Sequence, residues 1–255
     1  MTNTQTPNFP PEFLQGPHGR IAFRRRRGAE PGLVWLGGFR SDMLGTKAEC
    51  LDAWAIDRGR AFLRFDYSGH GESDGLFEDG AISEWAEDAA HVLNTLTQGR
   101  QILIGSSMGA WIAALLAKAH PDRIAGIVFI APAPDFTEKL MWPAFSDEER
   151  RTIMESGKLL QPSEYSPEPE VITRKLIEDG RRQLIMNAPL KFDFPVRILQ
   201  GMQDDAVPWR HAVEFSDMIE CDDLTIQLAK SGDHRLSSPD DLERLKQTLD
   251  EIVSA

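Results

Sequence analysis

The stretch Ile102-Leu103-Ile104-Gly105-Ser106-Ser107-Met108-Gly109-Ala110-Trp111 constrains this chain more than any other. A short apolar run enters Gly-x-Ser-x-Gly, and an Ala-rich run follows. Strand, sharp turn and helix in that order make a nucleophile elbow, which strains the backbone of the middle residue and pushes its side chain outward. The residues two before and two after it must lack bulk, so that strand and helix can approach. Gly105 and Gly109 meet that need, and Ser107 is the residue presented. The same pattern also describes a glycine-rich turn with no chemistry. The choice between the two rests on the rest of the chain.

Continuous apolar runs recur at Leu33–Leu36, Ala61–Phe65, Gln101–Gly105, Ile124–Ala131, Val196–Gln200 and Leu224–Leu228. Such runs suit strands buried on both faces. Segments of helical spacing lie among them, at about 46–58, 82–96, 107–119 and 209–219. A terminal helix starts near Ser238-Pro239. Ser83 is the expected N-cap of the helix over 82–96. The alternation predicts an α/β fold, a mostly parallel sheet with helices on both faces. A chain of 255 residues fits one such domain, 1–255.

Residues 1–16 read as a loose tail, and Arg20–Arg27 as a first strand. The consecutive arginines Arg24 to Arg27 are expected on a solvated edge strand, where they would blunt edge pairing. The strand–helix rhythm breaks between 132 and 190. Helices are predicted there at Asp147–Ser156, capped by Ser146, and at Pro169–Met186, on either side of the Pro-rich stretch 161–167. This region is expected to be a small helical cap inserted over one end of the sheet. Its apolar residues Phe136, Leu140, Met141, Trp142, Phe145, Leu159 and Leu160 face either a substrate or one another.

Charge narrows the function classes. A net charge of -12 disfavours nucleic acid, whose phosphates need a basic surface, and docking on an anionic membrane. No run reaches the length of a membrane-spanning helix, so stable membrane insertion is not expected. Met1 to Pro11 has neither the basic start nor the apolar core of a secretory signal. Cys50 and Cys221 form no disulfide framework and no metal-type spacing. A reducing compartment, the cytoplasm, follows as the expectation, and no metal or cofactor is expected.

A serine hydroxyl needs a base to take its proton and an acid to orient that base. On the α/β-hydrolase plan the order along the chain is Ser, then Asp or Glu, then His, the last two in loops after later strands. Here Asp204 follows the strand Val196–Gln200, and His234 follows the last strand. Asp205 is the alternative acid, with Asp204 preferred. Asp233, beside the base, is expected either to support it or to be solvated, with solvation preferred. His70 lies in a glycine-rich loop before the serine and has a weaker claim than His234. The oxyanion donors are expected to be the backbone N–H groups of Met108 and of Phe39, which follows Gly37-Gly38. Arg40, Trp142 and Leu159 are candidates for substrate binding, Arg40 also for a surface salt bridge.

Gly105-Ser106-Ser107-Met108-Gly109-Ala110-Trp111 and Gly201-Met202-Gln203-Asp204-Asp205-Ala206-Val207-Pro208-Trp209 resemble the α/β-hydrolase superfamily. So does Asp233-His234-Arg235, and the likeness runs over essentially the whole chain. Ser41-Asp42-Met43-Leu44-Gly45-Thr46-Lys47-Ala48, Arg64-Phe65-Asp66-Tyr67-Ser68-Gly69 and Pro162-Ser163-Glu164-Tyr165-Ser166 extend it. They are similar to the abhydrolase-domain palmitoyl-protein thioesterases of animal mitochondria, also known as mycophenolic acid acyl-glucuronide esterases. The resemblance implies a nucleophile at Ser107, an acid at Asp204 and a base at His234. It also implies S-depalmitoylation or acyl-glucuronide cleavage. The chain departs from that family at Arg40 and in the apolar residues of 132–190. The expected partner is a small-molecule or acylated-protein substrate. Another esterase chemistry, C–C bond cleavage or a non-catalytic binding role would use the same scaffold.

Overall fold

In chain order the elements are β1 (Glu12–Gly16), β2 (Gly19–Arg26), β3 (Ala29–Leu36), α1 (Thr46–Arg58), β4 (Arg60–Phe65), α2 (Ile82–Leu96), β5 (Gln101–Ser106), α3 (Met108–Ala119), β6 (Ile124–Ile130), α4 (Trp142–Ala144), α5 (Asp147–Ser156), β7 (Lys158–Gln161), β8 (Glu170–Thr173), α6 (Arg174–Arg182), β9 (Leu190–Lys191), β10 (Val196–Gly201), α7 (Trp209–Asp217), β11 (Ile219–Glu220), β12 (Leu224–Ala229) and α8 (Pro239–Ser254). The structure is a computed structural model and describes residues 9–161 and 169–254. The Pro-rich stretch from Pro162 onward, with its family-like Pro162–Ser166, lies outside the described residues.

The main sheet has eight strands in the order β1-β2-β4-β3-β5-β6-β10-β12. β2 runs antiparallel to β1 and to β4, and from β4 to β12 every pairing is parallel. The continuous apolar runs have the expected cause, since neighbouring residues of one strand feed opposite cores. Val34 and Leu36, Leu103, and Ile127 and Phe129 pack with Trp85 of α2, Trp111 of α3 and Phe215 of α7. Leu33 and Trp35, Ile102 and Ile104, and Val128 and Ile130 pack with Leu51 and Trp54 of α1 and Leu249 of α8.

The N-terminal reading needs correction. Residues 12–16 are not a loose tail but the edge strand β1, so the arginine strand β2 is second from the edge. β1 is half-exposed and short, which leaves its alternation too weak to read in the sequence. Arg24 is buried against Glu72 (2.5 Å), and Arg26 pairs with Asp52 (2.8 Å). Alternate arginines therefore face inward, and Arg25 and Arg27 remain exposed.

Ser83 is not the cap of α2. The helix spans the expected 82–96, but its N-cap is Ala81, two residues before Ser83, with no side-chain acceptor. Asp179 of α6 supplies that acceptor instead, taking hydrogen bonds from the Ser83 N–H and hydroxyl, both at 2.8 Å. A carboxylate suits a helix N-terminus through the exposed N–H groups and the dipole.

The segment between β6 and β9 is more mixed than predicted. α5 matches its expected range, closed by a reciprocal Ser146–Glu149 capping box. The helix expected over Pro169–Met186 begins as strand β8, antiparallel to β7, and only then becomes α6. The β-branched run Val171-Ile172-Thr173 favours the strand. The Thr173 hydroxyl then accepts from Leu176 N–H at 3.0 Å and starts the helix. Phe145, Ile153, Ile172 and Ile177 form a small core of their own there.

Candidate active site

β5 lies at the centre of the sheet, and its carboxyl end leads into the elbow. Ser107 has φ 55° and ψ −118°. A left-handed conformation at a residue with a side chain is strained, and strain of this kind collects at functional sites. Two close approaches hold it. A Cβ on Gly105 would stand 2.4 Å from the Gly109 carbonyl oxygen, and one on Gly109 only 2.1 Å from that of Leu36. No residue but glycine fits either place. Ser107 N–H donates to the Ile130 carbonyl at 2.9 Å, which ties the turn to β6.

His234 bridges the other two predicted residues. Its Nε2 lies 3.2 Å from Ser107 Oγ, and its Nδ1 lies 2.8 Å from Asp204 Oδ2. An ionised carboxylate only accepts, so Nδ1 carries the donated proton and Nε2 of the neutral ring is an acceptor for the serine hydroxyl. Asp204 is buried, and its Oδ1 accepts from the Ala206 and Val207 N–H groups at 3.0 and 2.7 Å. Asp205 is exposed and takes no part in this arrangement. The loops after β10 and β12 are laced together, with Gln203 N–H donating to the Gly232 carbonyl at 2.9 Å. Their closeness explains Gly201, where a Cβ would meet that carbonyl oxygen at 2.3 Å. Asp233 is exposed, but it is more than solvated: it accepts from Leu236 N–H at 3.0 Å and closes the turn after His234.

The expected oxyanion residues stand beside the serine. Met108 is the first residue of α3, where the backbone N–H has no acceptor within the helix. Gly38 passes close to Ser106 and Ser107, and the next residue, Phe39, lines the same cavity as Ser107. The Phe39 ring is held edge-on by Phe77 (4.8 Å), Phe136 (5.6 Å) and Trp85 (6.1 Å).

That cavity has a volume of about 740 Å³, within the range of small-molecule sites. Its apolar wall includes Phe136, Leu140, Met141 and Phe145 from the segment after β6, and Val207 from the acid loop. Arg40, Lys47 and Arg235 stand on the polar side. Among the described residues Arg40 has no carboxylate partner; its guanidinium stacks 4.7 Å over the Phe77 ring, at a left-handed φ of 57°. Trp142 and Leu159 are not among the described residues that line this cavity. Trp142 packs between Phe145 and the guanidiniums of Arg150 and Arg181, and Leu159 packs on the small core.

His70 is kept from the reaction centre. It is buried among Tyr67, Phe77 and Trp85, its Nδ1 meets the Ser68 carbonyl at 3.2 Å, and its Nε2 has no partner among the described residues. Burial pushes its pKa down to about 4, so it is neutral near pH 7. Burial also pushes Asp66 up to about 6, although the Met43 and Glu72 N–H groups hold its carboxylate. Two supporting residues were not foreseen. Gln200 Nε2 donates to Asp204 Oδ2 at 3.0 Å, and Lys47 Nζ donates to the Arg235 carbonyl. The one hint for Gln200 is a polar residue closing an apolar strand; Lys47 carries no local signal.

A half-buried serine on a strained turn, a histidine and a buried carboxylate at the carboxyl ends of a mainly parallel sheet define an α/β hydrolase. The alpha/beta hydrolase fold family matches over residues 48–157. The chain is 34% identical to the mitochondrial palmitoyl-protein thioesterase ABHD10 of Bos taurus, over 94% of this chain and 79% of that protein. A solved structure described as a hydrolase of Agrobacterium vitis S4 superimposes with a TM-score of 0.91 at 43% identity, over 96% of this chain and 99% of that one. The mouse alpha/beta hydrolase domain-containing protein 10 gives 0.88 at 31%, over 96% and 98%. The chain belongs to the α/β-hydrolase family, in the branch that contains ABHD10, and hydrolase activity is the chemistry this kinship supports.

Proposed function

We propose that the chain is a serine hydrolase that cleaves carboxylic esters or thioesters through an acyl-enzyme on Ser107. The observation that carries the reading is the His234 bridge, 3.2 Å to Ser107 Oγ and 2.8 Å to Asp204 Oδ2. His234 takes the hydroxyl proton as Ser107 attacks the acyl carbonyl. The N–H groups of Met108 and Phe39 receive the developing oxyanion. The protonated His234 then gives its proton to the leaving thiolate or alkoxide. Water enters, loses a proton to His234, attacks the acyl-enzyme and releases the acid with Ser107 restored. Asp204 fixes the tautomer and offsets the charge on the imidazolium. No metal or cofactor has a part in these steps.

The apolar wall formed by Phe136, Leu140, Met141 and Phe145 suits the acyl chain, in a cap made by the segment 132–190 over a single domain. Each buried methylene contributes about 0.8 kcal/mol. A medium or long acyl thioester, including an S-acylated protein, is the substrate class, as the palmitoyl-protein thioesterase name of the ABHD10 relatives suggests, and an acyl glucuronide is the alternative that the sequence resemblance implies. The compartment is a reducing one, since Cys50 and Cys221 are unpaired. The cytoplasm and the mitochondrial interior both meet that condition. Among the described residues no helix is long and apolar enough to cross a membrane.

The test is a panel of acyl thioesters from C2 to C16, p-nitrophenyl esters and acyl glucuronides, with Ser107→Ala as the blank. Turnover should rise with acyl length and vanish in the blank. A preference for acetyl esters over the longer thioesters would sink the acyl-chain assignment, and residual turnover by Ser107→Ala would sink the mechanism.

A further inference from the structure

Lys47 is the second residue of α1, and its Nζ donates to the backbone carbonyl of Arg235, the residue after His234. Its side chain borders two spaces at once. One is the cavity of Ser107, and the other a pocket of about 10 Å³ behind the histidine loop, shared with Gln200, Leu236 and Asp241. α1 begins where the loop carrying Phe39 ends, and that loop is anchored by the Met43 N–H on Asp66 at 2.7 Å. One side chain therefore joins the loop after β3 to the loop after β12.

We propose that Lys47 is a positioning residue: as an ammonium it clamps the His234 loop, so that Nε2 stays within hydrogen-bond distance of Ser107. The inference rests on the reading of Ser107 and His234 given above. The histidine loop already has one tie on its N-terminal side, from Gln203 N–H to the Gly232 carbonyl. The Lys47 bond supplies the tie on the other side. Without it the residue after His234 loses its tie to α1.

The charges that face Lys47 come from two elements and the cavity rim. Asp233 on the histidine loop and Asp241 on α8 favour the ammonium, while Arg235 opposes it. Asp241 is itself paired with Arg244 at 2.7 Å, and Arg40 lines the same cavity. Burial outweighs the two carboxylates and pushes the Lys47 pKa down to about 8. The neutral amine still donates a hydrogen bond but loses its attraction to both carboxylates, so the clamp loosens above that pH.

The experiment uses the full chain and a p-nitrophenyl ester, with kcat and KM measured from pH 6 to 10. A fluorophosphonate probe reports the reactivity of Ser107 over the same range, and thermal melting reports folding. Lys47→Met should lower kcat about 10- to 100-fold with KM within about threefold, the size expected of a small misplacement of a catalytic group. It should also lose the alkaline limb near pH 8. Lys47→Arg should restore most of kcat and move the limb beyond pH 10, which keeps the test open if Lys47→Met fails to fold. Unchanged kcat in Lys47→Met, a raised KM alone, or a limb at pH 8 that survives the substitution would overturn the clamp. Absence of a Ser107 adduct in the unsubstituted protein, or turnover by Ser107→Ala, would instead overturn the underlying reading.

Discussion

Gln200 donates its Nε2 hydrogen to Asp204 Oδ2 at 3.0 Å, the same oxygen that meets His234 Nδ1 at 2.8 Å. The last residues of β10 thus support the acid from beneath. The same amide donates to the Gly201 and Val207 carbonyls, at 2.9 and 3.2 Å, and so spans the acid loop. Gln200→Met keeps the length and the apolar fit but removes the donor. A hydrogen bond to a charged acceptor contributes about 1.5–3 kcal/mol. The expected fall in kcat/KM is about tenfold or more, and a loss under about twofold would show that Asp204 needs no such support.

Asp204→Asn and Asp205→Asn separate the two candidate acids. The amide leaves the shape of the loop but cannot hold the productive tautomer of His234. In a serine protease the equivalent change lowers kcat by about 10⁴, and a loss of that order is expected for Asp204→Asn. Asp205 is exposed, and its substitution should change kcat by less than about twofold. Steady-state kinetics on one ester decides, and equal losses in both variants would reject the assignment.

His70 gives a prediction about acid stability. Burial sets its folded pKa at about 4, against an ordinary value of 6.5. Between those values the unfolded chain binds the proton and the folded one does not, so stability falls as pH drops from 6.5 toward 4. Near pH 5 the contribution is about 2 kcal/mol, at about 1.4 kcal/mol per pKa unit. Asp66 acts in the opposite sense. Its folded pKa of about 6 stabilises the acid form, and that stability is lost as pH rises through 6. The two oppose each other between pH 4 and 6. His70→Gln should therefore lose less stability than the unsubstituted protein between pH 7 and 5, as read by denaturant midpoints. Parallel curves would refute the account.

Asp179→Ala removes the acceptor for the Ser83 N–H and hydroxyl at the start of α2. Loss of a helix cap costs about 1–2 kcal/mol, and the denaturation midpoint should fall accordingly. An unchanged midpoint would mean that water replaces the carboxylate without penalty.

Met141 and Trp142 are adjacent, yet only Met141 lines the cavity. Met141→Trp should cut turnover of a C16 thioester more than that of a C2 thioester by about tenfold. Trp142→Ala should leave that ratio unchanged. A ratio that moved with Trp142 alone would return that residue to the site.

Much of this was readable along the chain because it depends on local chemistry. Buried parallel strands need apolar side chains on both faces, so most of the parallel strands could be bounded to within a residue or two, whereas β3 begins at Ala29, four residues before the apolar run at Leu33. The elbow needs small residues at Gly105 and Gly109, and the nucleophile, acid and base must follow one another in a known order. β1 escaped because a half-exposed edge strand of five residues has little pattern to show. β8 escaped because Val171-Ile172-Thr173 runs directly into a helix.

By itself the sequence determined the parallel strands of the sheet, the elbow and the three residues that meet there. These follow from periodicity and from the steric limits of a tight turn. The tertiary structure alone decided which side chains surround Ser107. It turned Met141 and Phe145 toward the cavity and Trp142 away, stacked Arg40 on Phe77, and brought Gln200 and Lys47 behind Asp204 and His234. Such contacts join residues far apart along the chain, and their direction is set by loop closure rather than by any local preference.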